Sequence, residues 1–320
     1  MARSRRARIA EESKIAVYAA IIGNLFIAMT KFAAAAFTAS SAMLSEGIHS
    51  LVDTGNGLMM LLGIRNSRKP PDDEHPFGHG RELYFWSLIV AVTIFAVGGG
   101  VSVYQGIQRI IHPSQIENAG WNYAVLGASF VFEGISWLYG WRAFSKTLRG
   151  NSVIKAIHLS KDPTNFTVVL EDSTAILGLG IAFFGVLLSH EFGINYFDGA
   201  ASIVIGLLLS VVALFLGYES RGLLIGEAVD REMLREIREI AESQTDVEKA
   251  LKILTIYIGP DDVALTLELK FAKGISGVHL RKAVRRIERA IKEKYPEITR
   301  VYYEAESLSE DELTIRKKSA

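Results

Sequence analysis

The sequence contains no cysteine, so neither a disulfide framework nor a thiolate metal site can form. Any metal site in this chain must therefore use histidine, carboxylate or other oxygen ligands. A basic excess is also lacking, because 35 Lys and Arg residues balance 35 Asp and Glu residues. Proteins that bind nucleic acid normally carry a clear basic excess, so this balance argues against a nucleic-acid partner.

Charged residues are few, and they are unevenly distributed along the chain. They make up 22% of the 320 residues, whereas hydrophobic residues make up 49%. Long apolar runs extend from Ile15 to Tyr218, and the rest of the chain is rich in Lys, Arg and Glu. This asymmetry predicts a transmembrane domain at 1–219 and a water-soluble domain at 220–320.

Six segments are long enough to cross a bilayer, which takes roughly 20 mostly apolar residues in a helix. The second and the fifth carry internal polar residues that lower their hydropathy, and they are included because the span count and the charge pattern require them. The chain is therefore predicted to be an α-helical membrane protein with six transmembrane helices. The segments lie at about 15–38, 41–64, 83–111, 121–141, 164–189 and 197–218.

The segments that connect these spans predict their orientation. The loops after the first, third and fifth spans contain no Lys or Arg, whereas the N-terminus, both other loops and the region after Tyr218 are rich in them. The positive-inside rule then places both termini in the cytoplasm, or in its topological equivalent in an organelle. Arg109, near the outer end of the third span, is an exception that we expect to snorkel towards the interface.

The second span carries ionisable side chains in its interior. Glu46, His49 and Asp53 are three and four residues apart, so one helical face presents all three, and Asn56 continues that face. An unpaired carboxylate in hydrocarbon costs several kcal/mol, and ionisable residues within spans usually have a function. This face therefore predicts a cation-binding site.

The fifth span adds two adjacent acids, Glu171 and Asp172. Lys31, in the middle of the first span, can neutralise one acid but not all of them. A divalent ion held between the second and fifth spans fits better, and imidazole with carboxylates suits zinc. Glu133, in the fourth span, can be an acceptor beside the site, a proton relay or a partner of Lys31. The alternative is that the polar groups of the second span only hydrogen-bond neighbouring helices.

Three stretches of the sequence resemble the cation diffusion facilitator family. They are SEGIHSLVDTGN at 45–56, PDDEHPFGHGR at 71–81 and SKDPTNFTVVLEDSTAILG at 160–178. The first and third are similar to the branch that contains the mitochondrial zinc transporter 9 of animals, and the resemblance covers nearly the whole chain. It implies a homodimeric metal/proton antiporter in a lipid bilayer. Such a protein is not an enzyme, and its metal is cargo rather than a resident cofactor.

The resemblance also implies a ligand set for the transport site. The family takes two residues one turn apart on helix 2 and two on helix 5. The four matching positions in this chain are His49, Asp53, Val168 and Asp172. Since Val168 cannot bind metal, Glu171, Glu46 or a water could supply the fourth ligand. Glu171 and Asp172 point about 100° apart on an ideal helix, so both reach one ion only if the helix is irregular or one binds through water.

A second candidate site lies in the loop between the second and third spans. Asp72, His75 and His79 match the loop metal site of the family. Their D-x-x-H-x-x-x-H spacing can gather three ligands on one compact turn, which nearby prolines stiffen. Such a site would regulate transport or deliver metal. The alternative is a turn that leads into the next helix and binds nothing.

The region after residue 220 shows a helix–strand–strand–helix–strand pattern. The family's cytoplasmic domain has a ferredoxin-like α+β fold, and this order resembles it, which implies a role in dimerisation. His279 is its only histidine, so a zinc cluster is not expected there. The predicted elements are Arg231–Ser243, Leu251–Ile258, Val263–Phe271, Ser276–Tyr295 and Arg300–Glu306.

These observations lead to one functional expectation, proton-coupled efflux of zinc by alternating access. The ligands must lose protons to bind metal, so protons from the far side can displace it. An exporter of manganese, iron(II) or cobalt with the same fold is one alternative, and a non-transporting membrane metal sensor is another. A metallohydrolase is disfavoured because the sequence lacks H-E-x-x-H. The short chain, without a transit-like segment, favours a prokaryotic inner (plasma) membrane.

Overall fold

The computed structural model describes residues 22–113, 119–145, 148, 150, 152–194, 196–272 and 274–306. The basic N-terminus and the polar tail after 306 lie outside these residues, so the expectations about them remain predictions. The chain divides into two compact units. The first comprises the chain up to Lys69 together with Glu82–Arg221, and the second comprises Pro70–Arg81 and the chain from Gly222 onward. The loop of the second candidate site thus belongs to the second unit, which the sequence did not predict.

Helices form the first unit over the part of the chain that the structure describes. Each of the six segments predicted to span a membrane is helical over its described residues, and one short helix precedes the fifth. The helices are α1 Ile22–Thr38, α2 Ser41–Ser67, α3 Glu82–Ile111, α4 Ala119–Ser145, α5 Val153–Leu159, α6 Pro163–Phe192 and α7 Tyr196–Ile225.

Three of the described helices are long and apolar enough to cross a membrane by length and composition alone. They are α3, α7 and the stretch Phe166–Phe192 of α6. The described part of α1 is apolar but shorter. The helices α2 and α4 have 27 residues each, and α2 carries the charged residues of the candidate site, which lower its hydropathy. The apolar helices make this a membrane protein, and the count of six spans remains a prediction.

The starts of α2 and α6 follow from local sequence. Ser40 accepts a hydrogen bond from the Met43 N–H at the start of α2, and Asp162 accepts one from the Thr164 N–H at the start of α6. Pro163 occupies the first turn of α6, as the Asp-Pro pair predicts. These caps determine where the ligand-bearing stretches fall within each helix.

A buried ion pair holds the beginning of α2 against α3 and α7. Asp198 of α7 is completely buried and accepts hydrogen bonds from Ser40 Oγ and from the Ser41 N–H, each at 2.6 Å. Its Oδ2 lies 3.3 Å from Arg109 Nε. The expectation that Arg109 snorkels is therefore wrong: only 8% of the residue is exposed, because Asp198 supplies a buried partner.

Glycines bring the backbones of α3 and α7 into contact. A β-carbon added at Gly106 would lie 2.5 Å from the Gly199 carbonyl oxygen, and one at Gly206 would lie 2.7 Å from that of Gly99. Larger residues at these positions would push the two helices apart, so the glycines are required by close packing. A π-helical segment, Ile94–Val101, interrupts α3 at this contact.

The second unit has the predicted α-β-β-α-β order. Its sheet has β2 (Asp262–Phe271) in the centre, antiparallel to β1 (Val247–Gly259) and parallel to β3 (Ile298–Glu306). Alternate side chains of β2 are buried together with Ile237, Ile287 and Ile291 of the two helices. Strand β1 begins four residues earlier than predicted, because register shifts near Lys249 let polar residues continue the strand. The elements are α8 Arg231–Glu242, β1 Val247–Gly259, β2 Asp262–Phe271, α9 Gly277–Lys294 and β3 Ile298–Glu306.

Candidate metal sites

The polar face predicted for the second span is present on α2 and is buried. Glu46 and Asn56 are completely inaccessible, and His49 is 2% exposed. The Nε2 atom of His49 lies 3.4 Å from Oδ2 of Asp53, one turn further along the helix. The first two predicted transport ligands are therefore adjacent, with the His49 side chain buried and the Asp53 side chain 11% exposed.

Lys31 of α1 pairs with Glu46. Its Nζ atom lies 3.0 Å from Glu46 Oε2 and donates a second hydrogen bond, of 2.8 Å, to Ser50 Oγ. Both side chains of the ion pair are completely buried. The structure thus selects Glu46, rather than Glu133, as the acid that Lys31 pairs with.

The two adjacent acids of α6 face different helices. Glu171 Oε1 accepts a 2.8 Å hydrogen bond from Asn56 Nδ2 of α2, whereas Asp172 Oδ2 accepts a 2.9 Å bond from Ser136 Oγ of α4. Asn56 continues the polar face of α2, so the acid that is bonded to it lies beside that face. Glu171 is therefore the acid of α6 that extends the polar face of α2.

The family position that is Val168 in this chain lies on the same side of α6 as Asp172. A β-carbon added at Gly140 of α4 would contact both Val168 and Asp172, at 3.7 and 3.8 Å. The two positions of α6 that match the family's ligands, Val168 and Asp172, therefore face α4 in this structure. Glu133, also on α4, is 4% exposed and acts electrostatically on Asp53, so it lies close to the same group of acids.

Several polar atoms of this group have no hydrogen-bond partner among the described residues. They belong to the face of α2 that looks towards α6, and burying such an atom without a partner costs about 1–3 kcal/mol. A bound cation would supply the missing interactions of the oxygens and of one imidazole nitrogen, so the residues fit a metal. The atoms are Glu46 Oε1, His49 Nδ1, His49 Nε2, Asp53 Oδ1 and Asn56 Oδ1.

The loop candidate has a different geometry, because its three side chains already converge. Asp72 Oδ2 lies 3.0 Å from His79 Nε2, and Asp72 Oδ1 lies 3.3 Å from His75 Nδ1. One ligand atom from each lies within 4.8 Å of the other two. Within the described ranges, it is the only place where three such groups converge this closely. The arrangement suits a tetrahedral ion completed by water.

A short Asx turn holds Asp72 in this position. The backbone N–H of His75 donates a 2.6 Å hydrogen bond to Asp72 Oδ1, and this bond lowers the pKa of Asp72 below its ordinary value. The carboxylate is half exposed, so the effect is screened by water. Asp72 is therefore an anion throughout the neutral and mildly acidic range, ready to bind a cation.

The loop that carries these three ligands packs against the sheet of the second unit. A β-carbon at Gly80 would lie 2.5 Å from the Ile258 carbonyl oxygen, so only glycine allows this approach. Arg300 of β3 donates to the Phe77 carbonyl oxygen at 3.2 Å, and its guanidinium lies over the Phe77 ring. The same guanidinium donates to both carboxylate oxygens of Asp262. Arg300 therefore connects the loop to the sheet.

Sequence reasoning missed the partners that orient the acids. Ser50 and Ser136 each take part in a hydrogen bond at the helix site, and Asp198 holds the start of α2. Polar residues within predicted spans are the signal that points to such roles. Asp198 is the second residue of the last predicted span, where an acid is common at a helix start, so its position alone does not indicate a buried role.

The comparisons with known proteins define the class. The model of the cation efflux transmembrane domain matches residues 17–225, about two thirds of the chain. The chain therefore belongs to the cation efflux family, which confirms the resemblance seen in its sequence. The matched region includes all the candidate ligands of both sites.

Particular relatives sharpen this assignment. The mitochondrial proton-coupled zinc antiporter SLC30A9 of Mus musculus and of Homo sapiens is 34% identical over 257 residues, which is 80% of this chain. This chain covers only 45% of the length of those proteins. Metal tolerance protein C4 of Arabidopsis thaliana is 31% identical over 82% of this chain and 58% of its own. The cation-efflux pump FieF of Escherichia coli is 26% identical over 89% of both chains.

Proposed function

We propose that this protein is a proton-coupled antiporter that moves a divalent transition metal, with zinc as its cargo, across a membrane. The observation that carries the proposal is a set of buried polar atoms on α2 that have no hydrogen-bond partner among the described residues. A membrane helix tolerates such atoms where a cation or a proton satisfies them. The names of two relatives, a zinc antiporter and a cation-efflux pump, support the same function.

The proposed transport ligands are His49 and Asp53 of α2 with Glu171 and Asp172 of α6. His49 and Asp53 are one turn apart and already adjacent. Glu171 faces the same stripe through its bond to Asn56, and it fills the role that Val168 cannot. Asp172 is bonded to Ser136 on the α4 side, so it reaches the ion after a change of side-chain rotamer or through water.

Proton coupling follows from the chemistry of these ligands. Imidazole and carboxylates bind metal only after losing their protons, so metal and protons compete for the same atoms. When the site opens towards the acidic side, protons displace the metal. When it opens towards the other side, metal displaces the protons. The exchange requires one shared site and two access states, which is alternating access.

The proposed assembly is a homodimer in a prokaryotic inner membrane. Each chain has six spans, and both of its termini lie on the cytoplasmic side. The water-soluble domain predicted at 220–320 is then a ferredoxin-like dimerisation domain. Its parallel and antiparallel strand pairs around a central β2 support that fold. The loop site of Asp72, His75 and His79 is proposed to deliver metal or to regulate transport.

Flux into proteoliposomes with an imposed pH gradient tests the proposal. Zinc, manganese, iron(II) and cobalt are supplied in parallel to wild type, to Asp53→Asn and to Glu219→Gln. Glu219 is a buried acid of α7 that pairs with His158, so it serves as the matched control. Gradient-driven zinc flux that is lost in Asp53→Asn and retained in the control supports the proposal.

Other outcomes have equally definite meanings. Flux of manganese or iron instead of zinc keeps the transport site and changes the cargo. Tight metal binding with no flux of any metal contradicts transport and favours a membrane metal sensor. Zinc flux that is unaffected by Asp53→Asn removes this residue from the ligand set.

A further inference from the structure

A lysine lies inside the helix bundle beside the proposed transport ligands. Lys31 is completely buried, and its Nζ atom contacts Glu46 Oε2 at 3.0 Å and Ser50 Oγ at 2.8 Å. These two partners flank His49 along α2. A buried ammonium without a counter-ion is strongly unfavourable, so Lys31 and Glu46 require each other.

Glu46 is confined on its other side by α6. Its Oε1 atom has no hydrogen-bond partner among the described residues, and a β-carbon added at Gly178 would lie only 2.3 Å from it. The missing side chain at Gly178 therefore makes room for the carboxylate. Glu46 is thus held between Lys31 of α1 and the backbone of α6, and it cannot move freely towards the other acids.

The charge of Lys31 acts on more than its partner. It interacts electrostatically with Glu46, His49, Asp53 and Glu133. A divalent ion at the transport site adds two positive charges to this permanent one. The five nearby carboxylates are Glu46, Asp53, Glu133, Glu171 and Asp172.

We infer that Lys31 is a built-in counter-cation, which withdraws Glu46 from the ligand set and limits the site between α2 and α6 to one divalent ion. The inference rests on the proposed function, because it concerns the same site. Lys31 is a positioning residue: it never binds the metal, but it neutralises Glu46, an acid outside the ligand set that could otherwise attract a second ion. Repulsion between the ammonium and any additional cation near Glu46 enforces the limit.

The test counts metal ions bound to the full-length protein in detergent. A parent variant, Asp72→Asn with His79→Ala, removes the loop site, so that the helix site alone is measured. Titration with Zn²⁺ by calorimetry and with Co²⁺ by its d–d spectrum gives stoichiometry, affinity and geometry. We expect the parent to bind one ion per chain.

Three variants on this parent test the counter-cation. Lys31→Met frees Glu46, and we expect two ions per chain. Glu46→Gln leaves the ammonium unpaired, and we expect about tenfold weaker binding of the single ion. Lys31→Met with Glu46→Gln restores neutrality and retains both side-chain volumes, and we expect one ion with an affinity within about threefold of the parent. This double variant also covers the case in which Lys31→Met fails to fold.

The opposite results overturn the inference. One ion of unchanged affinity in both single variants means that the charge of Lys31 has no influence. A large loss of affinity in the double variant means that Glu46 is a ligand after all. If the parent binds no ion, or binds one that Asp53→Asn does not remove, the proposed function and the inference both fail. If the parent binds one ion and the Lys31 variants bind the same number with the same affinity, only the inference is overturned.

Discussion

The two candidate metal sites of this protein differ in how their ligands are satisfied. The loop ligands Asp72, His75 and His79 contact one another, and two of them are half exposed. Of the proposed helix ligands, His49 is buried and the three acids are partly buried, and several atoms on this face of α2 have no partner among the described residues. A site whose groups satisfy each other is stable with or without metal, whereas a buried unsatisfied site needs a cation or protons. That need suits the site that is proposed to exchange metal for protons.

The supports of the two sites also differ. The loop is held by an Asx turn and by Arg300, contacts that do not involve the proposed transport helices. The helix site is built from side chains of α1, α2, α4 and α6, so any relative movement of these helices changes its geometry. A transport site must change with conformation, while a delivery or regulatory site need not.

Of the two acids of α6, Glu171 is expected to have the larger effect on transport. Glu171→Gln removes the charge that faces α2, and we expect zinc flux to fall by about 100-fold, equivalent to about 2.7 kcal/mol. Asp172→Asn removes a charge that faces α4, and we expect a smaller loss, of about tenfold. Proteoliposome flux at matched protein density measures both. The reverse order would show that Asp172, and not Glu171, completes the site.

Metal stoichiometry separates the two sites. Wild type is expected to bind two zinc ions per chain, Asp53→Asn one ion at the loop, and His79→Ala one ion at the helices. Equilibrium dialysis followed by elemental analysis counts them. Glu219→Gln, as the matched control, should retain both ions. A single ion that either substitution abolishes would mean that the residues form one site and that the comparison fails.

A smaller effect is expected when the loop loses its contact with the sheet. Arg300→Ala removes the donor to the Phe77 carbonyl and the partner of Asp262, and we expect about threefold weaker zinc binding at the loop. Calorimetry on the Asp53→Asn background isolates that site. Arg235→Ala, which removes an exposed ion pair with Glu239, is the control and should change nothing. Equal effects of the two substitutions would contradict a specific role for Arg300.

The smallest effect concerns the pH dependence of the loop site. The pKa of Asp72 is lowered by the His75 N–H, so its stabilising bond is present above the ordinary aspartate pKa and is lost only as pH falls through the lowered value. Between about pH 7 and pH 5, Asp72 therefore stays ionised and should not contribute to the slope of zinc affinity against pH. Asp72→Asn should weaken binding at every pH without changing that slope. A slope that differs between the two proteins would show that Asp72 itself titrates there.

Much of this architecture could be predicted from the sequence, because it depends on local rules. Helical periodicity places Glu46, His49 and Asp53 on one face of α2, and the structure buries that face. The alternation of Val263–Phe271 predicts β2, and the Asp-Pro pair predicts the start of α6. Each of these features is encoded within one or two turns of chain.

The remaining features depend on partners that are distant in sequence. Glu171 and Asp172 are neighbours, and only the rotation of α6 against Asn56 and Ser136 decides which acid faces α2. The contact between Arg300 and Phe77 joins residues 223 positions apart. Arg109 has a buried acid on another helix, so it needs no access to the interface. Local periodicity carries no information about such pairings.

The most direct test of the central claim is zinc flux through Asp53→Asn and His79→Ala, measured side by side in proteoliposomes with the pH gradient imposed in either direction. If the buried site performs the exchange, Asp53→Asn abolishes flux in both directions, while His79→Ala retains flux that reverses with the gradient. If His79→Ala abolishes flux and Asp53→Asn retains it, the exposed loop site is the transport site, and the buried helix site does not exchange metal for protons.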